Sequence, residues 1–211
     1  MGSSSESNLQ RRLKIIEQRF LSEYPGGFSN PKLVEIGKKH QISTRTKQSQ
    51  EFFSKDNFAL PQLVVENMVK TISRSSLVSR FEKPRLRDWV KVMTPQERES
   101  YAFSLRDILH GDQEYGFNMM LGLLEAGRQA KWSLMTILPY YYSPLDEVFV
   151  KPTTTKNIIN YFELEELVYR PRPSYEFYVQ YRKQIIEMRG MVDKSLQQDN
   201  AAFSGFLMMA I

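Results

Sequence analysis

Cysteine is absent from the 211-residue chain, and histidine occurs twice, at His40 and His110. The first absence excludes disulfides and thiolate chemistry, and the two together leave too few soft ligands for a zinc site. No uncharged run reaches about 18 residues, so the sequence offers no membrane span. The N-terminus lacks the apolar core of a secretory signal, and Glu6 stands where an N-myristoylation signal wants Ser or Thr. The expected location is therefore cytoplasmic, with no metal, no cofactor and no membrane partner. Also missing are a nucleophile–base pair, a dinucleotide fingerprint, a kinase signature and the glycine spacing of a P-loop. Whether the chain catalyses anything stays open on these residues.

What is present is an ordinary globular composition with enough chain for one sizeable core. Its net charge of +5 is uneven. Residues 1–93 carry 17 Lys and Arg against 9 Asp and Glu, net +8, whereas residues 94–211 carry 12 against 15, net −3. Concentrated positive charge suits a polyanion or a phosphorylated ligand, and equally a solvated surface that keeps the protein soluble.

Helical periodicity dominates, and the expected fold is mainly α: a single-domain irregular multi-helix bundle with at most one very short strand pair. Residues 1–8 read as a disordered start and residues 9–211 as one helical domain. Leu9, Leu13, Ile16 and Phe20 form one stripe, ended by Tyr24-Pro-Gly-Gly27. Asn30 and Pro31 open a second helix running to about His40, and a third spans about 44–53. Further stripes lie over 58–73 (Leu60, Val64, Met68, Ile72) and over about 84–93, opened by Pro84. Thr94-Pro-Gln-Glu97 is a capping box that opens a helix ending at His110 and Gly111. His110, in that last turn, reads as a capping residue rather than a catalytic one. Asp112 then caps a helix that Gly127 closes. Pro139 is expected to end a short helix begun near Trp132, and Val148-Phe149-Val150 is the one strand candidate. Ser174 is expected to cap the longest helix, over about 174–193. The uncharged tail of residues 201–211 is apolar enough that it must dock into the core or a partner, with docking in cis the default and a dimer contact the second reading, since Gly205 and the small Ala201, Ala202 and Ser204 permit close helix contact.

Three groups of residues are candidates for function. The first is the outline of a helix-turn-helix over 31–53, with Gly37 allowing a close crossing, Ile42 plugging the turn and Ser43 capping a second helix. Lys38, Lys39, Arg45 and Lys47 would then meet nucleic acid, although Gln41 replaces the usual turn glycine. The second is the segment 73–87, where Arg80, Lys83, Arg85 and Arg87 accompany several serines and a single acid, Glu82. Guanidiniums and hydroxyls together suit phosphate, or else pair with neighbouring carboxylates and cap helix ends. The third is Lys151-Pro-Thr-Thr-Thr-Lys156, where Lys151, Thr153, Thr154, Thr155 and Lys156 surround a helix start with free amide groups. Glu163, Glu165 and Glu166 cluster without an Asp or His to complete a metal or acid–base set. Arg170-Pro-Arg-Pro173 reads as an extended linker.

The leading expectation is a non-enzymatic binding protein for a polyanion such as nucleic acid, held by the basic first half. The alternatives are an enzyme or sensor for a small phosphorylated or carboxylated ligand, and a helical adaptor that forms a homodimer through its apolar tail. One spatial observation separates the first two. An open convex basic face favours nucleic acid, whereas a closed concave pocket that joins Lys151–Lys156 to Arg80 or Arg87, lined by one of Tyr140 to Tyr142, favours a small ligand.

Overall fold

The structure, a computed structural model, describes residues 2–211, with side chains from Asn8 onward. The disordered start expected over 1–8 falls outside the described side chains, Asn8 apart. The backbone of α1 is helical over Gly2–Glu23, which makes α1 rather than the 174–193 segment the longest helix. Ten more helices follow: α2 (Pro31–Lys38), α3 (Ile42–Phe52), α4 (Pro61–Arg74), α5 (Glu82–Val92), α6 (Pro95–His110), α7 (Gln113–Ala126), α8 (Trp132–Tyr142), α9 (Pro152–Phe162), α10 (Tyr175–Gly190) and α11 (Asn200–Ala210). Three short 3-10 turns lie between them. No strand occurs among the described residues, and none of their helices is long and apolar enough to cross a membrane.

Local chemistry explains most of the boundaries. Leu13, Ile16 and Phe20 are buried on α1 as the stripe requires. Asn30 accepts from the Lys32 amide at the start of α2. At α6 both halves of the capping box form, since Thr94 Oγ1 accepts from the Glu97 amide and the Glu97 carboxylate accepts from the Thr94 amide. Asp112 accepts from the Tyr115 amide to open α7. His110 has a different cap role from the one expected. Its Nε2 lies 2.8 Å from the Phe53 carbonyl, so it donates to the end of α3.

Other boundaries depart from the sequence reading. Leu60 stays exposed because α4 begins one residue later, with Pro61 in its first turn. α5 starts at Glu82 and takes Pro84 into its first turn. α10 ends at Gly190, and Ser174 holds its N-cap position without a side-chain cap bond. Val148-Phe149-Val150 is buried but pairs with no strand, and the Val150 amide donates instead to Thr136 Oγ1.

The largest departure is Pro139, which lies inside α8 instead of ending it. An interior proline costs about 3 kcal/mol. Against that, Trp132, Leu134, Met135, Ile137, Leu138, Tyr140 and Tyr141 are each at most 2% exposed. Burial of each such side chain contributes about 1.5–3 kcal/mol, so together they outweigh the proline several times over. α8 is accordingly buried on all sides, with α3, α4, α6 and α7 packed on it.

The tail docks in cis. α11 buries Phe203, Phe206, Leu207 and Ala210 against α1, α9 and α10, while Met208, Met209 and Ile211 remain exposed.

α6 and α7 pack against each other, and Gly116 lies at their contact. A Cβ built there would lie 2.6 Å from the Ile108 amide nitrogen and 2.7 Å from the Ser104 carbonyl, both rigid backbone atoms. Gly116→Ala should therefore destabilise the protein by about 1–3 kcal/mol by overpacking, despite the better helix propensity of alanine. Urea unfolding followed by circular dichroism measures this. Unchanged or increased stability would contradict the close α6–α7 contact.

Candidate functional site

α2 has one buried residue, Leu33, and leaves Val34 and Ile36 exposed. Its eight residues include three hydrophobic side chains, Leu33, Val34 and Ile36, more than its own packing uses. The surplus faces a cleft of about 480 Å³ whose opposite wall is α11. Leu33, Val34, Ile36 and Gly37 form one side, Ala201, Ala202, Gly205, Met208 and Met209 the other, and Phe149, Leu77 and Phe206 are also in the lining. This size is usual for a small-molecule site, as is a mainly apolar lining with a few polar groups.

The polar groups include His40, Lys151, Thr154, Asp199 and Ser204, and Lys38, Gln41, Ser43, Thr44 and Gln198 also line the space. Asp199 is 4% exposed, and its Oδ1 accepts from the Tyr140 hydroxyl at 2.8 Å and from the amides of Ala201 and Ala202 at 2.9 Å. It thereby caps α11 and ties the cleft wall to α8. Burial, followed by the neighbouring Asp199 charge, raises the Tyr140 hydroxyl well above the usual phenol range, so it stays a donor. Ser204 donates to the Asn200 carbonyl and Thr154 to the Met208 sulfur, which occupies both hydroxyls. Lys151 precedes α9, whose first turn has no side-chain cap. Among the described residues no ion pair includes Lys151.

His40 Nδ1 lies 2.9 Å from Ser76 Oγ. Its pKa is lowered first by burial and next by Lys151, while Asp199 pulls the other way and Lys39 adds a smaller depression. The imidazole is therefore neutral at pH 7.

The structure divides the residues that the sequence nominated. Of the 151–156 group, Lys151 and Thr154 line the cleft. Thr155 is buried in the core, Thr153 is exposed, and Lys156 lies 5.9 Å over the Tyr169 ring. None of Arg80, Lys83, Arg85 and Arg87 lines the cleft. Arg80, Arg85 and Arg87 are exposed and Lys83 is half-buried; the Arg80 guanidinium lies over Phe81, and Arg87 sits 3.7 Å from Asp88. From that stretch it is Leu77 that reaches the cleft, with Ser76 bonded to His40.

The helix-turn-helix outline is realised as two helices without its packing. Gln41 adopts the left-handed conformation, φ 50°, and precedes α3, so Ser43 lies inside α3 rather than capping it. Gly37 has no atom within 4 Å of a built Cβ, so no close crossing occurs there. α3 packs mainly on α8 and α4, and α2 on the 3-10 turn at Gly27–Ser29. Arg45 bonds the side chains of Gln41 and Gln48, Lys38 pairs with Glu35 at 3.3 Å, and Lys39 and Lys47 are exposed.

His40, Asp199 and the open face of α11 were not nominated by the sequence. The small residues of the tail were the available signal, but they read as a helix contact. Gly205 has open space where a Cβ would stand, so these residues border the cleft instead. A second polar cluster was also missed, in which Glu147 accepts from Arg182, Tyr178 and Gln113. Its members satisfy one another and bind the 145–150 segment to α7 and α10, so it is structural. Among the described residues no group of His, Cys, Asp and Glu is arranged to hold a metal ion, the Glu163–Glu166 cluster included. No protein-family model matches the sequence, and neither a curated protein nor a solved structure matches the chain.

The depressed pKa of His40 has a consequence for stability. The unfolded chain takes up this proton near pH 6.5, the ordinary imidazole value, the folded chain only at lower pH. Stability should therefore fall as pH drops below about 6.5 and continue to fall until the folded pKa is passed. Thermal melts between about pH 5 and pH 8 should show a smaller acid-side loss in His40→Gln than in the wild type. Identical slopes would show that His40 is not held neutral by its surroundings.

Proposed function

We propose that the protein binds a small amphipathic molecule in the cleft between α2 and α11. The observation that carries this reading is the combination of an apolar cleft of about 480 Å³ with an unpaired lysine and a neutral histidine in its lining. Apolar walls supply affinity without direction, and the few polar groups orient the ligand. This is the small-ligand alternative in altered form, with His40 and α11 replacing residues 80–87 as the partners of Lys151. The role proposed is binding or sensing.

Gly205→Leu tests the reading, because a side chain there meets open space and should fill the cleft while improving helix propensity. The wild type should enhance the fluorescence of the neutral apolar probe phenylnaphthylamine saturably, and Gly205→Leu should lose about nine-tenths of that binding while melting no lower. Equal binding by both proteins would rule the cleft out as the site. A concentration-dependent dimer in light scattering that Gly205→Leu dissolves would assign the cleft to a second copy instead.

A second reading rests on a separate observation. Arg80, Arg85 and Arg87 are exposed within one short stretch in which Asp88 is the paired acid. They support polyanion binding on the α5 surface. Fluorescence anisotropy with single- and double-stranded oligonucleotides should then show binding that weakens steeply with salt and is lost in the triple alanine variant. No binding at low salt would remove this reading and leave the cleft untouched.

A further inference from the structure

The lining of the cleft also restricts which amphipathic molecule it takes. Val34, Ile36, Met208 and Met209 line the cleft beside the rings of Phe28, Phe149 and Phe206, and methionines adapt their shape to an irregular apolar occupant. Gly37 and Gly205 stand on the two facing helices, each with open space where a Cβ would be. Bare backbone on both sides admits a slender chain more readily than a side-chain wall would.

The charge pattern is equally selective. Lys151 carries the one positive charge of the lining without an ion-pair partner among the described residues, because Lys38 is paired with Glu35. Asp199 lines the same space as a carboxylate already holding three donors. A cationic head group would meet the unpaired lysine. A doubly charged phosphate would bring a second negative charge that Lys151 does not match, and it would pay a larger desolvation penalty in an apolar cleft. A single negative charge matches Lys151, the lining cation without an ion-pair partner among the described residues. His40 shares a hydrogen bond with Ser76 through Nδ1, and in the tautomer in which Ser76 donates, Nε2 carries the proton and serves as a neutral donor.

We propose that the cleft takes an aliphatic monocarboxylate, its alkyl chain lying between α2 and α11 and its carboxylate held by Lys151 and His40. This rests on the small-molecule reading of the cleft and adds the class of ligand. No bond is made or broken.

Isothermal titration of the full chain with octanoate, octanol, octylammonium and octyl phosphate, each below its micelle-forming concentration, tests the class. Octanoate should bind about tenfold more tightly than octanol, as expected for one charge-assisted contact, and octylammonium more weakly than either. Lys151→Met, which keeps the apolar stem, should abolish the preference for octanoate over octanol, and Lys151→Arg should retain it. Circular dichroism confirms that each variant is folded, and if Lys151→Met does not fold, the wild-type head-group series decides the question alone. Equal binding of octanoate and octanol, tighter binding of octyl phosphate, or a preference that survives Lys151→Met would overturn the monocarboxylate class while leaving a small-molecule cleft standing. Binding of none of the four, together with no phenylnaphthylamine binding, would overturn the cleft reading itself.

Discussion

A helix buried on every side obliges each polar side chain on it to find a partner, and α8 meets that obligation by reaching five separate parts of the chain. Trp132 donates to the Arg170 carbonyl, Ser133 to Glu82, and Tyr140 to Asp199. Tyr141 shares a hydrogen bond with Ser75, and Thr136 accepts from the Val150 amide. An unmade bond at any of these places would cost about 1–3 kcal/mol, so the five bonds fix where α4, α5, α11 and the segment before α9 can lie. The three consecutive tyrosines serve this purpose by pointing different ways. Tyr140 reaches Asp199, Tyr141 reaches Ser75, and Tyr142 packs edge-on against His110.

The candidate site follows from the same constraint. Asp199 is held by Tyr140 and in turn holds the first turn of α11, so the cleft wall is positioned from the core outward. Val150 is anchored by Thr136, and the next residue is Lys151. Ser75 is anchored by Tyr141, and the next residue is Ser76, the partner of His40. Asp199, Lys151 and the Ser76 partner of His40 are thus each at, or next to, a bond made by α8. The outer wall is different in kind. α2 buries a single residue and follows Gly26 and Gly27, both at positive φ, so it is joined to the molecule by little packing. A rigid inner wall opposite a lightly held outer one is an arrangement suited to admitting a ligand.

How much of this could be read from residues alone depended on range. The Thr94–Glu97 capping box, the Asp112 cap, the Asn30–Pro31 start and the stripe of α1 involve neighbours within one turn, and the structure reproduces them. Pro139 misled because the penalty is local and the burial that outweighs it is not. Val148–Val150 misled because a hydroxyl from α8 satisfies the backbone that a ladder would otherwise have paired. The cleft was half legible. Lys151 and Thr154 stood out as a helix start with cationic flanks, but their partners His40 and Gly205 lie more than a hundred residues earlier and about fifty later. Pairings across such distances are set by the core, and a single sequence carries no direct record of them.

The proposed ligand site between the apolar surfaces of α2 and α11 is distinguished from an incidental surface groove by amide chemical-shift mapping of the isotope-labelled protein during titration with octanoate. Saturable shifts should concentrate at Ile36, Gly37, His40, Lys151, Ala202 and Gly205, with α5 and α7 unmoved. Shifts scattered over the surface, or centred on residues 80–87, would contradict the proposed site.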